Sequence, residues 1–308
     1  MITSRAPLRV SFFGGSTDNP AFIKKFKKSL VINFSTNLYT YSSIFLDKFG
    51  YNSQMNKYIL NYSKQEVAHK INEIKNDIMR ECFRFHNIPP ISVYFTSDIF
   101  SKGSGLAASS AYTLSLLKCI YKLKKITISK NDLIKQALFI ERKFNKFCGY
   151  QDPFGCGIPG FKIINTKDDI NYKIKKKDNN IFKKFNFYLL PTFLNRNSQN
   201  ILKNLSKSLH SIYPIYEVAK EAENLILNKN YLKFLKLMKV SWDLKKLSHP
   251  QIMKNNQLLK IDNILEKDKN IISHKLLGAG LGGFFLLVSN KKNLLNYYKP
   301  CIKINLNE

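Results

Sequence analysis

Apolar and polar side chains alternate at the start of the chain, which predicts an early strand over residues 5–12. The apolar face of this strand consists of Ala6, Leu8, Val10 and Phe12. Arg9 lies on the opposite face, and a glycine-containing turn at residues 13–20 follows directly. Such a turn can bring Asp18 back towards Arg9. The pattern therefore predicts that a cation and a carboxylate approach each other at the end of the first strand.

Helical and strand periods follow each other along the rest of the chain. Residues 64–85 repeat apolar side chains at helical spacing, and a strand at 91–96 leads through a glycine-rich turn into a helix over 112–121. A start resembling a capping box at Ser129 opens another helix. Beyond a lysine-rich boundary at 173–184, the pattern predicts strands at 185–190 and 284–288 and helices at 198–209, 215–227, 231–247 and 251–265. We expect a mixed α/β fold in two parts.

The glycine-rich turn at residues 103–111 carries the strongest chemical signal. A turn of this kind that opens a helix directs unpaired backbone N–H groups and the positive end of the helix dipole at one spot, which favours phosphate. A tight turn with N-capping serines is the simpler alternative. The spacing Gly103-x-Gly105-x-x-Ala108 also fits a dinucleotide-binding turn, but lysines stand where that motif needs an acid. A second glycine cluster at 278–283 precedes a strand rather than a helix, so a Rossmann dehydrogenase is disfavoured.

Two carboxylates follow the glycine-rich turn. Glu141 lies on the edge of an apolar helical stripe, where a carboxylate is costly unless it is paired or binds a cation. A lysine partner is the simpler alternative for this residue. Asp152 falls in a predicted loop, residues 149–155, among glycines and aromatic side chains. A loop aspartate is often only a turn former, so these two positions leave a catalytic and a structural interpretation open.

The formal net charge of +29 sets this chain apart from ordinary globular proteins. A large basic excess can indicate nucleic acid, an anionic membrane or acidic substrates. Here the lysines are spread along the chain among many asparagines, without a basic motif interleaved with aromatics, so nucleic acid is not expected as a partner. The five cysteines are odd in number and contain no Cys-x-x-Cys, which argues against a disulfide framework or structural zinc.

The termini and the longest apolar stretch bear on where the chain resides. Arg5 and Arg9 interrupt the apolar run at the N-terminus, which does not fit a signal peptide. The longest largely apolar stretch, residues 276–288, is too short to cross a bilayer. We therefore expect a cytoplasmic protein without a membrane partner.

Three motifs together resemble the GHMP kinases, the superfamily of galactokinase, homoserine kinase and mevalonate kinase. They occur in the family's order at residues 6–18, 103–111 and 277–284, and cover most of the chain. The resemblance implies a two-domain α/β (α+β) fold, with an N-terminal domain over residues 1–180 that is similar to a ribosomal-protein fold. It also implies a ferredoxin-like C-terminal domain over residues 181–308 and an active site in the cleft between the two.

The resemblance also implies the cofactors ATP and Mg²⁺ and a role for each motif residue. Asp152 would be the catalytic acid–base group, and Arg9 would stabilise the transferring charge. Ser109 and Glu141 would hold the metal ion. The phosphate loop would consist of Gly103, Ser104, Gly105, Leu106, Ala107, Ala108, Ser109 and Ser110. The sugar would be contacted by Asp18, Gly14, Gly15, Thr17, Gln151 and Gly280.

Within the superfamily, the chain is most similar to the bacterial D-glycero-D-manno-heptose 7-phosphate kinases. The segments at 140–142, 241–246 and 275–280 carry that likeness, which implies a sugar or sugar-phosphate substrate and leaves a homodimer open. A kinase of the galactose or fucose type and a basic RNA-binding module are the alternatives. The chain departs from the family at Ala107-Ala108, where Gly-Ser is usual, and at Leu281, where glycine is usual. The change at Ala107 is expected to alter the turn, because alanine disfavours positive φ.

Overall fold

The computed structural model describes residues 1–100, 103–194, 209–248, 250–291, 294, 298 and 300–306. Lys102 and almost all of the helix predicted at 198–209 lie outside the described residues. The strands are β1 (Ile2–Phe13), β2 (Ser29–Phe45), β3 (Tyr58–Asn61), β4 (Gln65–Ala68), β5 (Ser92–Ser97), β6 (Phe161–Thr166), β7 (Lys173–Lys177), β8 (Asn186–Pro191), β9 (Ser273–Leu276), β10 (Phe284–Ser289) and β11 (Ile302–Ile304). The helices are α1 (Pro20–Phe26), α2 (Tyr51–Gln54), α3 (Asp77–His86), α4 (Ala108–Lys124), α5 (Lys130–Phe144), α6 (Gln151–Gly157), α7 (Asn180–Lys184), α8 (Leu209–Leu227), α9 (Tyr231–Ser248) and α10 (Asn256–Lys267), with 3-10 turns at Ile71–Glu73 and Pro250–Met253.

The long strand β2 organises the first sheet. It pairs antiparallel with β1 along its length, with Arg9 opposite Ser35. Along its other edge, β2 pairs first with β6 and then with β5, so one strand joins the two ends of the sheet. The order is β4-β3-β5-β2-β6-β7, with β1 on β2, and β3 and β5 are the parallel pair among the described strands. Among the described strands, β1 is therefore held by β2, whose other edge is fixed by β5 and β6.

The second sheet comes from the C-terminal part of the chain. Its order is β11-β8-β10-β9, and all of these pairs are antiparallel. The chain leaves the first sheet after Lys177 and enters the second at Asn186. One cluster of buried apolar side chains draws on both sheets, and a second lies around Trp242 and Phe285. The domain ranges 1–180 and 181–308 remain a prediction.

Phe12 connects the two sheets through an aromatic cluster. Its ring centroid lies 5.0 Å from that of Phe34 on β2, 5.7 Å from that of Phe187 on β8 and 5.4 Å from that of Phe234 on α9. The predicted apolar face of β1 is confirmed, since its four side chains are 0% exposed: Ala6, Leu8, Val10 and Phe12. Burial of this face turns Arg9 and Ser11 towards the opposite side, where the candidate site lies.

Two predicted elements were wrong in kind. The helix predicted over 64–85 is the strand β4, a 3-10 turn and the shorter helix α3. Val67 is 54% exposed and pairs with Ile59, so the helical spacing of its apolar neighbours was accidental. Asn76 caps α3 by accepting from the backbone N–H of Met79, which sets the true helix start. The second error is the loop predicted at 149–155, most of which is the helix α6.

The helix predicted at 251–265 is divided into the 3-10 turn Pro250–Met253 and the helix α10, whereas the other predicted elements within the described residues follow the pattern closely. The helix predicted at 112–121 extends over Ala108–Lys124, and the Ser129 side chain accepts from the Asp132 backbone N–H as a cap. All five cysteines are buried and free. Among the described residues, the helices do not include one that is long and apolar enough to span a membrane.

A buried polar network fixes the second cluster around Asp262 on α10. Trp242 Nε1 donates to Asp262 Oδ1 at 2.8 Å, His274 Nε2 lies 2.9 Å from the same oxygen, and Lys246 Nζ lies 3.0 Å from Oδ2. Burial raises the pKa of Asp262, but hydrogen bonds from these three side chains outweigh it and lower that pKa to about 2. One carboxylate therefore ties α9, α10 and β9 together.

We expect Asp262→Ala to lower the free energy of unfolding by roughly 3 kcal/mol, because it leaves buried donors without an acceptor. Chemical denaturation monitored by tryptophan fluorescence would measure this loss. Glu266→Ala is the matched control on the same helix, since Glu266 makes only an exposed ion pair with Lys239. Its effect is expected to stay within about 0.5 kcal/mol. Equal losses in the two variants would contradict a special role for the Asp262 network.

Candidate active site

A cleft of about 280 Å³ brings the three sequence motifs together. The end of β1 and its turn form one wall, the glycine-rich turn and α4 form the second, and residues 275–279 close it from the C-terminal part. Backbone hydrogen bonds join the motifs: Arg9 N–H donates to Leu106 O at 3.0 Å, and Phe284 N–H donates to Ser104 O at 3.2 Å. Segments that are far apart in the sequence therefore share one site.

Arg9 is the buried cation at the centre of the cleft and is 3% exposed. Its Nη2 and Nε atoms lie 2.5 and 3.1 Å from Oδ1 of Asp152. Its Nη1 donates to the backbone carbonyl of Gly105 at 2.8 Å. A buried guanidinium requires such partners, because an uncompensated charge in the interior is very costly. Arg9 therefore connects Asp152 on α6 to the glycine-rich turn.

The helix α6 presents Asp152 in its first turn. The Asp152 side chain is 36% exposed, and its Oδ2 makes no hydrogen bond to any of the described residues. Next to it, Gln151 accepts a hydrogen bond from Ser11 Oγ at 2.9 Å. Asp152 therefore has one oxygen held by Arg9 and a second directed away from that contact.

Asp18 occupies the wall formed by the turn after β1. Its oxygens accept from the backbone N–H groups of Ser16 at 3.1 Å and Gln151 at 3.3 Å. Burial, followed by repulsion from Asp152, raises the pKa of Asp18 to about 6. Gly149 permits this approach, because a Cβ atom there would stand 1.9 Å from Asp18 Oδ2. Asp18 and Asp152 are thus two of the acids that line the cleft, and the pKa of Asp18 is raised towards neutrality.

The glycine-rich turn leads into α4 as predicted. Ala107 occupies the N-cap position without a side-chain cap. The hydrogen bond from Ala111 N–H to Ala107 O is the first in this helix, so the N–H groups of residues 108–110 point out of its end. Ala108 and Ser109 line the cleft there. The geometry is that of an anion-binding helix start.

Two positions that usually carry glycine in the GHMP kinases keep a glycine-like backbone in this chain. Ala107 has φ of 61° and Leu281 has φ of 62°, both in the left-handed region. This conformation costs an L-residue roughly 1–2 kcal/mol. Both residues therefore hold a left-handed backbone at an energetic cost, and the expectation that Ala107 alters the turn relative to the family remains a prediction.

Glu141 on α5 has the features of an unpaired metal ligand. It is 4% exposed, and within the described part of the chain its Oε1 makes no hydrogen bond of normal length. Burial raises the pKa of Glu141 to about 8, more than the nearby hydroxyls of Ser110 and Ser109 lower it. A buried carboxylate oxygen without a partner fits a divalent cation, which prefers oxygen ligands. Glu141 and Ser109, both on the wall of the cleft, therefore fit a Mg²⁺ ion.

The structure places most of the predicted site residues on the cleft wall. Those lining it are Arg9, Gly15, Asp18, Gly103, Ser104, Gly105, Ala107, Ala108, Ser109, Glu141, Gln151 and Asp152. Those that do not line it are Leu106, Ser110, Gly14, Thr17 and Gly280. Thr17 is fully buried, and its hydroxyl donates to Gly14 O at 2.8 Å. Thr17 and Gly14 therefore stabilise the turn from within. A Cβ atom on Gly280 would stand 2.7 Å from Ile252, so this glycine packs against a neighbouring turn. The roles assigned to all of these residues remain predictions.

Ser241, Lys245 and Lys275 are among the cleft residues that were not assigned from the sequence. Lys275 is 6% exposed and donates from Nζ to Phe12 O at 2.8 Å. Burial, followed by the charge of Arg9, lowers the pKa of Lys275 to about 7. Lys245 Nζ donates to Gly278 O. These residues fall within the segments 241–246 and 275–280, which carry the likeness to the heptose 7-phosphate kinases. The sequence therefore singled out the segments, but it did not indicate that these side chains line the cleft.

The comparisons with known proteins agree with the motifs. Residues 57–160 match the family model described as GHMP kinases N terminal domain. The D-glycero-alpha-D-manno-heptose 7-phosphate kinase of Campylobacter jejuni subsp. jejuni is 26% identical over 96% of this chain and 92% of its own length. These matches confirm the resemblance drawn from the sequence.

Solved structures share the fold over the whole chain. A D-glycero-D-manno-heptose 1-phosphate kinase from Bacteroides thetaiotaomicron has a TM-score of 0.75 at 16% identity, covering 100% of this chain and 97% of its own. A putative sugar kinase from Campylobacter jejuni has a TM-score of 0.71 at 20% identity, with 99% and 95% covered. The predicted fold class is therefore confirmed.

We expect Asp152→Asn to lower kcat by about 10²-fold or more, the scale of a lost acid–base group. The amide keeps a hydrogen-bonding oxygen for Arg9, so the fold and ATP binding should be retained, although loss of the negative charge beside the buried guanidinium lowers stability. Steady-state turnover and nucleotide binding by calorimetry would separate the two effects. Asp169→Asn is the control, since Asp169 pairs with Arg142 and does not line the cleft. Turnover at the unaltered rate in Asp152→Asn would exclude the residue as the base.

We expect the Mg²⁺ concentration at half-maximal rate to fall about fivefold between pH 7 and 8, because Glu141 must lose its proton to bind a cation. Glu141 has a pKa of about 8 and therefore loses most of its proton between pH 7 and 9. Asp18, with a pKa of about 6, is already mostly ionised in this range and should contribute little to the change. Glu141→Gln should raise the Mg²⁺ midpoint and remove its dependence on pH. The exposed Glu221→Gln is the control. A persistent pH dependence in Glu141→Gln would assign it to another group.

Proposed function

We propose that this chain, an ATP-dependent sugar kinase of the GHMP family, phosphorylates the anomeric hydroxyl of D-glycero-D-manno-heptose 7-phosphate or a close relative. The product would supply nucleotide-sugar synthesis for surface polysaccharide. The observation that carries the proposal is the cleft itself. It combines the Arg9–Asp152 pair, an anion-binding helix start and two lysines that face them from the C-terminal part. The heptose 7-phosphate kinase from Campylobacter jejuni supports the choice of sugar.

Asp152 is the group that would activate the acceptor hydroxyl. Oδ1 is fixed by two nitrogens of Arg9, so Oδ2 is the oxygen that would accept the proton or orient the hydroxyl. Arg9 remains next to the reacting groups and would stabilise negative charge on the transferring phosphoryl group. Since both side chains are held before substrate binds, little rearrangement would be needed for reaction. Asp18 lies on the adjacent wall and would accept hydrogen bonds from sugar hydroxyls.

The triphosphate of ATP would occupy the end of α4. The N–H groups of residues 108–110 would donate to phosphate oxygens there. Ser109 and Glu141 would hold Mg²⁺, which neutralises charge on the phosphates when it is bound. Ala108 cannot provide the hydroxyl that serine supplies at this position in related kinases, so backbone groups carry more of the binding in this chain.

Lys245 and Lys275 would bind the distal phosphate of the sugar. Both line the cleft from the C-terminal part, where Lys245 donates to Gly278 O and Lys275 donates to Phe12 O. The pKa of about 7 at Lys275 means that its ammonium is poorly compensated before an anion binds. A phosphate there would stabilise the charged form. A free sugar offers no such compensation.

We expect a heptose 7-phosphate to exceed the unphosphorylated heptose by about 10- to 150-fold in kcat/KM, as one or two charge-assisted hydrogen bonds imply. A coupled ADP-release assay at matched ionic strength would give this ratio. Lys245→Ala should lower the ratio while leaving kcat/KM for the free sugar nearly unchanged. Lys239→Ala is the control on the same helix, where Lys239 is exposed and paired with Glu266.

The ratio also distinguishes the alternative substrates. A value near one, with galactose or fucose turned over efficiently, would replace the heptose phosphate by a substrate of the galactose or fucose type. The assignment of the chain as a sugar kinase would be unaffected by that result. If the kcat/KM ratio of about 10- to 150-fold persists in Lys245→Ala, the phosphate contact would instead be assigned to Lys275.

A further inference from the structure

A second cleft of about 290 Å³ lies outside the candidate active site. It is bounded by the start of β1, the middle of α4, the start of α5 and the end of α6. Its lining residues are Arg5, Pro7, Tyr39, Leu114, Lys118, Lys130, Leu133, Ile134, Cys156, Gly157 and Pro159. None of them lines the active-site cleft. The cleft is therefore a separate cavity of similar volume.

The charged residues of this second cleft are all cations. Arg5, Lys118 and Lys130 line it, and no acid does. Among the described residues, these three side chains form no ion pair. Lys118 Nζ donates to the backbone carbonyl of Arg5 at 2.9 Å, and the Arg5 guanidinium lies 4.2 Å from the Tyr39 ring centroid. Carbonyl and aromatic contacts position these cations without neutralising them.

Burial adds to the cost of this arrangement. Burial, followed by the charges of Lys130 and Lys122, lowers the pKa of Lys118. Burial, followed by the charge of Lys176, lowers that of Lys130. Asp132 accepts from Ser129 Oγ at 2.6 Å, and Asp98 accepts from Tyr39 N–H at 2.8 Å. Asp98 is linked to Arg5 through Tyr41, with which both side chains interact. Lys118 is partly buried, whereas Arg5 and Lys130 are exposed at the mouth of the cleft. The cleft therefore gathers three cations without an acid among its lining residues.

The floor of the second cleft is apolar. Leu114, Ile134 and Cys156 are each no more than 1% exposed. Two prolines and Leu133 extend this surface. Inorganic anions gain nothing from such a floor, whereas an organic body attached to a phosphate can bury against it. Cations on the rim and apolar side chains below fit a ligand with both parts.

We propose that this cleft is a binding site for a phosphorylated small molecule, with its phosphate on Lys118 and Lys130 and its organic body over the apolar floor. Cys156 belongs to this floor, follows Asp152 on the same helix α6, and its Sγ lies 3.6 Å from Ala107 O at the start of α4. Arg5 shares β1 with Arg9. A ligand here therefore contacts the elements that position the catalytic groups, so it is placed to modulate the kinase.

Calorimetric titration would test the site while AMP-PNP, Mg²⁺ and an excess of heptose 7-phosphate saturate both the nucleotide and the sugar parts of the active-site cleft. The probes are AMP, glucose 1-phosphate and inorganic phosphate, at constant ionic strength. We expect a remaining binding event for AMP or glucose 1-phosphate that is at least about tenfold tighter than for inorganic phosphate. Lys118→Ala/Lys130→Ala should weaken it by about 10- to 150-fold, the range for lost charge-assisted hydrogen bonds. Whichever organic phosphate binds more tightly identifies the nucleotide or sugar class.

Lys124→Ala/Lys135→Ala is the matched control, because it removes the same charge from the same two helices outside the cleft. Affinity should be unchanged in this control. Thermal unfolding of both double variants checks that each is folded. The proposal is overturned by the absence of binding once AMP-PNP is present, by equal losses in the two double variants, or by inorganic phosphate binding as tightly as the organic phosphates. Equal losses would indicate diffuse attraction to a highly basic protein.

Discussion

The buried guanidinium of Arg9 is the interaction on which the site depends. It joins β1, the glycine-rich turn and α6 through contacts with Leu106, Gly105 and Asp152. A cation that is 3% exposed would be very unfavourable without those contacts. The partners needed to bury Arg9 are also the groups expected to bind phosphate and to activate the hydroxyl. Local stability and preorganisation for catalysis therefore have the same physical origin.

The other face of β1 explains why this pairing can be rigid. Phe12 packs against rings from β2, β8 and α9, which come from both sheets. A strand held by a close-packed aromatic core on one side cannot shift its register without exposing that core. Arg9, three residues before Phe12, is therefore held at a fixed position. The cleft is built on this strand and on loops whose positions depend on it.

Much of the fold and the site could be predicted, because the motifs are determined by interactions between residues that are close together in the sequence. The alternation around Arg9, the turn before α4 and the cap at Ser129 each depend on neighbours in sequence. Predictions that needed distant contacts were less complete. The spacing at residues 64–85 is helical, yet strand pairing with Ile59 decides the structure there. Lys275 reaches the cleft because the fold brings its ammonium within hydrogen-bonding distance of Phe12 O on β1, a contact that no local pattern encodes.

The C-terminal motif at residues 277–284 also determines how early the active site can form during translation. Ser104 O in the glycine-rich turn accepts from Phe284 N–H, and Gly283 fits there because a Cβ atom would stand 2.5 Å from the same oxygen. A chain made from its N-terminus can form β1, α4 and α6 early, since N-terminal parts generally fold first. The wall that supports the turn arrives only near the end of translation. A nascent chain should therefore acquire its folded scaffold well before its capacity to consume ATP.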